Sequence, residues 1–255
     1  MTPEELIRRL TAGGPPGRRG SPRGPDEPVI TQSVPRGSDE QVIARSGPRG
    51  FDEQVIARAG PRGSDEQVVT QVMPRGDHDL NPDLYQPDRT LVPAAVLVPV
   101  VQRPDGMTVL FTQRTDHLHD HAGQVSFPGG RIDRGDASAT AAALRETEEE
   151  IGLSRAHVRL IGELDTYVTR TGFEVTPKVG LVTPPFSLEL DSFEVAEVFE
   201  VPLGFLLDPA RRRMDSRIYQ GKERRFYAFR YGNHYIWGAT AGMLVNLTEV
   251  LKTPC

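Results

Sequence analysis

The chain has 255 residues, a formal net charge of −5 at neutral pH and a single cysteine, Cys255. The mildly acidic balance argues against a broad nucleic-acid-binding surface, and one cysteine excludes an internal disulfide. Residues 1–10 lack the apolar core of a signal peptide, and the longest apolar run, 91–101, is too short to span a bilayer. We therefore expect a cytoplasmic protein whose partners include neither nucleic acid nor a membrane.

The chain begins with a short amphipathic helix, predicted for residues 1–12. A threonine and a proline precede two glutamates, which is typical of a helix start, and Leu6, Ile7 and Leu10 share one apolar stripe. Such a stripe needs a partner surface, so we expect the helix to dock on the later domain.

Residues 13–76 carry a 13-residue repeat. Each unit starts with Pro-Arg-Gly, at Pro22, Pro35, Pro48, Pro61 and Pro74. A unit offers only two or three apolar residues, which are too few to offset the entropy lost when the chain is ordered. The repeat therefore predicts a disordered segment between the first helix and a folded domain over 77–255.

The remaining residues, 77–255, alternate between strand and helix patterns. Valine-rich or aromatic runs predict strands at 94–101, 108–114, 158–169, 175–182, 195–201 and 226–231. Helices are predicted over the alanine-rich run that ends at Gly152, over 202–207 and over 238–251. Strands on both sides of one central helix, with a second long helix at the end, predict an α/β domain with a mixed sheet between helices.

A glycine-rich loop and the alanine-rich helix end in a cluster of carboxylates within residues 129–153. Glu146, Glu149 and Glu150 are spaced i, i+3 and i+4, so one face of the helix carries all three. Crowded carboxylates stay ionised together most readily around a cation, and oxygen ligands favour Mg²⁺ or Mn²⁺. The alternative is a solvated acidic helix end, although acids at a helix C-terminus oppose the helix dipole.

This stretch resembles the Nudix box, in which a glycine and an acid precede the pattern Arg-Glu-x-x-Glu-Glu-x-Gly. Here five residues separate Gly130 from Asp136, and 145–153 supplies the closing pattern. Asp136 stands where the box has glutamate, eight residues instead of seven separate it from Arg145, and Thr147 replaces an aliphatic residue. The half of the box that binds metal is intact.

The residues just upstream resemble the signature of coenzyme A pyrophosphatases within the Nudix family. Two stretches carry the resemblance, 110–114 and 121–130. His119 stands where that signature usually has arginine, and Thr115 stands where it often has serine. The resemblance runs from about Asp77 to the C-terminus.

The resemblance implies an α/β/α sandwich and a site that holds Mg²⁺ or Mn²⁺. The implied metal ligands are Glu146, Glu149, Glu150 and the backbone carbonyl of Gly129. Glu149, Glu146 and Arg145 form the implied catalytic group, in which Arg145 orients the glutamates. Nudix enzymes differ in the origin of the general base, and three candidates stay open here: Glu149, Glu194 and Glu197.

The implied reaction is hydrolysis of coenzyme A or acyl-coenzyme A to 3′,5′-ADP and 4′-phosphopantetheine or its acyl form. Arg114, Gln124 and Phe127 are expected to bind the substrate, with loop packing as the alternative role for Gln124 and Phe127. Two other functions stay open: hydrolysis of another nucleoside diphosphate derivative, such as NADH or ADP-ribose, and a Nudix-fold binding module without turnover. A homodimer is compatible with the sequence, which does not fix the oligomeric state.

Overall fold

The computed structural model describes residues 1–12, 74–86, 88–118 and 121–252, and also the backbone of 42–44, 55–57 and 71–72. His119, Cys255 and most of the segment predicted to be disordered lie outside the described residues. Within the described part of the chain, no helix combines the length and apolar character needed to cross a membrane.

The helices are α1 (Pro3–Ala12), α2 (Ala139–Ile151), α3 (Leu203–Leu207) and α4 (Ala239–Lys252). The strands are β1 (Val42–Ala44), β2 (Val55–Ala57), β3 (Gln71–Val72), β4 (Arg75–Gly76), β5 (Val92–Arg103), β6 (Gly106–Arg114), β7 (Val125–Ser126), β8 (Gly129–Arg131), β9 (Val158–Glu163), β10 (Tyr167–Val168), β11 (Phe173–Val182), β12 (Val195–Pro202), β13 (Arg213–Tyr219), β14 (Lys222–Tyr231) and β15 (His234–Trp237).

Nine of these strands form one mixed sheet, as the sequence predicted. The main strand order is β12-β6-β5-β11-β10-β4, with β7 paired to β6, β8 to β5 and β9 to β11. The central strand β5 runs antiparallel to β6 and parallel to β11. Because β5 lies between other strands and under helices, it is a nearly continuous apolar run, whereas β11 alternates apolar and polar residues before its buried end at 179–182.

Helices cover both faces of this sheet. Successive side chains of β5 point to opposite faces, so Ala95 and Leu97 pack against Ala142 of α2. Val98, on the other face, belongs to the cluster that contains Leu244 of α4. The result is the α/β/α sandwich that the resemblance implied, with the acidic end of α2 above the β5–β6 side of the sheet.

Helix α1 packs on the α4 side of the sandwich. Leu6 and Leu10 are 0% and 2% exposed and share a cluster with α4, and an Arg9 Nη1–H donates to the carbonyl oxygen of Leu251. At the facing strand, a Cβ on Gly162 would lie 3.2 Å from the Cβ of Leu10, which indicates close contact with β9. The first twelve residues therefore complete the core of the domain.

Two smaller sheets lie apart from the main sheet. Strands β13, β14 and β15 form an antiparallel sheet, of which the sequence predicted only 226–231. Strand β13 was missed because most of its side chains are exposed and it lacks an alternating apolar pattern. Strands β1, β2 and β3 form a separate antiparallel sheet within the segment that was predicted to be disordered.

Two predicted boundaries also differ. The predicted strand 158–169 divides into β9 and β10, because the Asp165 N–H between them donates to Asn246 Oδ1 of α4 at 3.0 Å. The folded domain also reaches back to Arg75, whose Nε lies 3.0 Å from Asp165 Oδ2 and whose Nη1 lies 2.7 Å from Glu249 Oε2. These contacts with the domain begin two residues before the predicted domain start at 77.

Replacement of Leu10 with alanine tests the packing of α1. The change leaves a cavity in the core and should lower the free energy of unfolding by roughly 2–5 kcal/mol. Arg8→Ala is the matched control, because Arg8 is an exposed residue of the same helix and its loss should change stability by less than about 0.5 kcal/mol. Urea denaturation of the full chain measures both, and equal midpoints for the two variants would contradict the docking.

Candidate active site

The helix that carries the acidic cluster has well-defined ends. The Ser138 hydroxyl oxygen accepts a hydrogen bond from the Ala141 N–H at 3.1 Å and caps the N-terminus. Gly152 ends the helix in the left-handed conformation, with φ of 66°, as predicted from its position. The caps fix Glu146, Glu149 and Glu150 on the last two turns of α2.

The glycine-rich loop lies directly against this helix. A Cβ on Gly130 would come within 2.6 Å of the carboxylate carbon of Glu146, and a Cβ on Gly129 would come within 2.4 Å of the Ala95 carbonyl oxygen. Gly129 also has a φ of 147°, a backbone conformation that residues other than glycine rarely adopt. Glycine at both positions therefore lets the loop backbone approach the carboxylates.

Glu150 is the buried member of the cluster, with only 7% of the residue exposed. The Gly129 N–H donates to its Oε2 at 3.2 Å, and Arg114 Nη1 lies 3.9 Å from its Oε1. Burial raises the pKa of Glu150 to about 8; the Gly129 hydrogen bond and the Arg114 charge oppose this rise, whereas Glu194 and Glu146 add to it. Near neutral pH the carboxyl group therefore needs a proton or a cation beside it.

Arg145 connects the loop to the acidic helix end. Its Nε and Nη2 donate to the two carboxylate oxygens of Asp136 at 3.0 and 2.9 Å. Nη2 also lies 2.9 Å from Glu146 Oε1, and Nη1 donates to Glu149 Oε2 at 2.8 Å. These contacts, with the Asp136 hydrogen bonds foremost, raise the pKa of Arg145, so the guanidinium stays charged.

Asp136, which stands where the Nudix box has glutamate, is the principal partner of Arg145. The hydrogen bonds from Arg145, together with the Asp133 N–H at 2.8 Å, hold the pKa of Asp136 below its usual value. Sequence reasoning missed Asp133, whose carboxylate also lies 3.6 Å from Arg145 Nη2. The Asp-x-x-Asp spacing next to Gly135 is a turn signal that could have identified it.

The three glutamates do not converge on one point in this structure. Glu146 is partly buried, and burial raises its pKa while the charge of Arg145 opposes the rise. The side chain of Glu149 is 58% exposed and turns toward Arg145. Among the described residues, no group of three or more acidic, histidine or cysteine side chains is arranged to hold a metal ion.

The donor set nevertheless fits a hard divalent cation. It consists of carboxylate oxygens, and the Glu150 carboxylate is buried with little cationic compensation. Glu149 is the ligand that would have to turn, and its contact with Arg145 is an exposed ion pair of about 0–1 kcal/mol. The cost of rotating Glu149 toward Glu146 and Glu150 is therefore small.

The two later candidates for a general base lie on opposite faces of the sheet. Glu194 Oε2 is 3.8 Å from Arg114 Nη1, and Glu194 also raises the pKa of Glu150. Glu197 lies 3.7 Å from His234 Nε2, beyond a register shift between Val195 and Glu197. Because of this bulge, Val195 faces α2 whereas Glu197 faces the α4 side.

The three predicted substrate residues occupy different environments. The side chain of Arg114 is 26% exposed between Glu150 and Glu194, and its buried Nε has no hydrogen-bond partner among the described residues. The Gln124 side chain contacts His121 at 2.7 Å on the surface. Phe127 is 2% exposed and stacks on Phe111, so its ring packs in the core instead of facing the carboxylates.

Replacing Glu150 with glutamine tests the effect of burying its carboxylate. Because its folded-state pKa of about 8 lies above the ordinary value of 4.5, the folded state retains a proton that the unfolded state has released. In metal-free buffer, stability should fall by up to roughly 1.4 kcal/mol per pH unit as pH rises from about 4.5 to 8.

Glu150→Gln should remove this slope and be more stable than wild type at pH 8. Glu149→Gln, which changes an exposed carboxylate of the same helix, should retain the wild-type slope. Urea denaturation at pH 5, 6.5 and 8 with a chelator measures the slopes, and a wild-type slope in Glu150→Gln would refute the assignment.

Comparisons with known proteins agree with this geometry. The model of the NUDIX domain matches residues 91–209. An Escherichia coli K12 protein named "Uncharacterized Nudix hydrolase NudL" is 44% identical over 154 residues, which are 60% of this chain and 80% of that protein. A protein of the same name from Shigella flexneri is 42% identical over 162 residues, or 63% of this chain and 84% of that protein.

Among solved structures, a C. elegans Ap4A hydrolase binary complex is 21% identical with a TM-score of 0.39, covering 44% of this chain and 80% of that chain. The curated relatives are matched over most of their length, and the family model spans the loop and helix that carry the acidic cluster. The chain belongs to the Nudix hydrolase family, whose members are pyrophosphohydrolases.

Proposed function

We propose that this Nudix hydrolase cleaves the diphosphate bond of coenzyme A or an acyl-coenzyme A. The products would be 3′,5′-ADP and 4′-phosphopantetheine or its acyl form. One observation carries the proposal: Arg114, the last residue of the stretch 110–114 that resembles the coenzyme A pyrophosphatase signature, lies beside Glu150 and Glu194. A motif that indicates the substrate and the acidic cluster that indicates the reaction therefore meet at one place.

Nudix hydrolases generally require divalent metal ions. We assign Mg²⁺ or Mn²⁺ here to the carboxylates of Glu146, Glu149 and Glu150 and to the backbone carbonyl of Gly129. When bound, the cation neutralises diphosphate oxygens and lowers the pKa of a water molecule. Arg145 supports this assignment, because it contacts Glu146 and Glu149 while Asp136 holds it in place.

Arg114 is suited to bind a phosphate group of the substrate. Its guanidinium is only partly compensated, since Nη1 is 3.9 Å from Glu150 and 3.8 Å from Glu194, and its Nε is buried without a hydrogen-bond partner among the described residues. Phosphate oxygens would supply the missing acceptors, and the planar guanidinium can hold two of them at once. Gln124 is our second candidate for a substrate contact, because its carbonyl oxygen accepts a hydrogen bond from the Arg114 N–H at 2.9 Å.

The general base we favour is Glu194. Hydrolysis forms a bond between a water oxygen and phosphorus, breaks the bond from phosphorus to the bridging oxygen and transfers a proton from water to a carboxylate. The Glu194 side chain is 43% exposed and lies beside Arg114, so water reaches it next to the bound phosphate. Glu149, which is exposed on α2, is the remaining alternative, whereas Glu197 is on the other face of the sheet.

A substrate screen tests the proposed reaction. Purified protein with Mg²⁺ or Mn²⁺ should hydrolyse coenzyme A with a higher kcat/KM than NADH or ADP-ribose, and a chelator should abolish turnover. Products are identified by chromatography as 3′,5′-ADP and 4′-phosphopantetheine. Cleavage of NADH or ADP-ribose with coenzyme A untouched would contradict the substrate assignment, and ligand binding without any turnover would favour a binding module.

A pair of substitutions on β12 and its leading loop tests the base. Glu194→Gln should lower kcat by roughly 10²–10⁴-fold, because the carboxylate that accepts the proton is lost. Glu197→Gln makes the same chemical change three residues later, on the face away from the carboxylates, and should retain wild-type kcat. Equal rates in the two variants would exclude Glu194 and leave Glu149 as the candidate.

A further inference from the structure

Phe193 is a large exposed aromatic residue beside the acidic site. It lies just before β12 with 65% of the residue exposed, and it is adjacent in sequence to Glu194. Other strongly exposed apolar residues, such as Met214 (53%) and Ile218 (71%), lie on β13 in a different sheet. Exposure of an apolar ring is unfavourable in water, so a flat group that covered this ring would gain free energy by burying it.

The backbone that presents Phe193 is fixed to the site on two sides. The Asp191 N–H donates to the carbonyl oxygen of Glu150 at 2.9 Å, which ties the loop to the end of α2. The Phe193 N–H donates to Asp191 Oδ1 at 2.9 Å, and the Thr115 hydroxyl donates to the Phe193 carbonyl oxygen at 2.8 Å. Because these bonds hold the loop before a ligand arrives, binding against the ring requires little additional ordering.

His117 packs against the Phe193 ring. Its imidazole lies 4.9 Å from the Phe193 ring, centroid to centroid, and is tilted by 59°. Thr115, which follows Arg114 directly, donates its N–H to the Glu194 carbonyl oxygen at 3.0 Å and its hydroxyl to the Phe193 carbonyl oxygen, so the Arg114 guanidinium, the Glu194 carboxylate and the Phe193 ring come from neighbouring backbone at one edge of the site. The diphosphate of a nucleotide would contact the Arg114 guanidinium, and the base of the same nucleotide would reach the rings of Phe193 and His117.

We propose that Phe193, supported by His117, is the stacking platform for the nucleobase of the substrate. The proposal rests on the proposed function, in that the site accepts a nucleoside diphosphate, and it adds the side chain that recognises the base. An aromatic face stacks on every base. Phe193 therefore selects substrates that carry a nucleobase but does not distinguish one base from another. The ring is therefore a specificity-determining residue outside the hydrolytic chemistry.

Two monophosphates that differ only in the base, 5′-AMP and ribose 5-phosphate, test the proposal without turnover. Calorimetric titration of the full chain in Mg²⁺ should give 5′-AMP an affinity at least about tenfold higher than ribose 5-phosphate. Phe193→Ala should remove most of this ratio by weakening 5′-AMP alone. Phe193→Tyr, which keeps an aromatic ring, should retain the ratio, and His117→Ala should reduce it partly.

Ile218→Ala is the matched control, because it removes an equally exposed apolar side chain from another sheet and should leave the ratio unchanged. A Phe193→Ala variant with the wild-type ratio would overturn the proposal, as would a wild type without preference for 5′-AMP. Size-exclusion chromatography gives a third outcome: a wild-type dimer that Phe193→Ala converts to a monomer would assign the ring to a protein interface.

The outcomes separate this proposal from the proposed function. If Phe193→Ala loses the preference for 5′-AMP while the wild type hydrolyses no coenzyme A, the platform stands and the substrate assignment fails. If coenzyme A is hydrolysed normally and Phe193→Ala leaves both its KM and the 5′-AMP ratio unchanged, the function stands and the platform fails.

Discussion

The site depends on one desolvated carboxylate. Glu150 lies between the end of α2 and the sheet, where a charged carboxylate has lost most of its water and gained one backbone hydrogen bond from Gly129. Burial of an uncompensated charge is among the most unfavourable arrangements in a folded protein. A proton removes the charge, and a divalent cation would balance it, so the geometry that disfavours the free carboxylate would favour a bound cation.

The contacts of Arg145 explain how this family member tolerates an altered box. Aspartate at 136 is one methylene shorter than glutamate, and the segment between it and Arg145 is one residue longer than usual. Both differences from the usual box affect the contact between residues 136 and 145. Asp136 still accepts two hydrogen bonds from Arg145, at 3.0 and 2.9 Å. Since Asp133 supports Asp136 through its backbone N–H, the turn itself takes part in positioning the arginine.

The mixed sheet decides which acidic and aromatic residues share a space. A single bulge in β12 places Glu197 beside His234, on the side of the sheet away from α2. The loop before the bulge is tied to the end of α2 through the Asp191 N–H, and it brings Glu194 and Phe193 to the edge of the acidic site. The groups that we propose for catalysis and recognition thus reach one place from three elements: α2, the end of β6 and the loop before β12.

The sequence by itself determined the parts that depend on local pattern. It predicted the central helix with its Gly152 end, the mixed sheet and the position of three glutamates on one helical face, because propensity, capping and periodicity are properties of neighbouring residues. It also proposed Arg114 as a substrate-binding residue, through the resemblance carried by residues 110–114 and 121–130, and this role stays a prediction.

Only the tertiary structure decided the rest. It showed that Asp136 holds Arg145, that Glu149 is turned away from Glu150, and that the Phe127 ring is part of the core. It also separated Glu194 from Glu197, which look equivalent in sequence. The physical reason is that burial, ion pairing and the face on which a side chain projects depend on strand register and on residues distant in the chain, which local patterns do not encode.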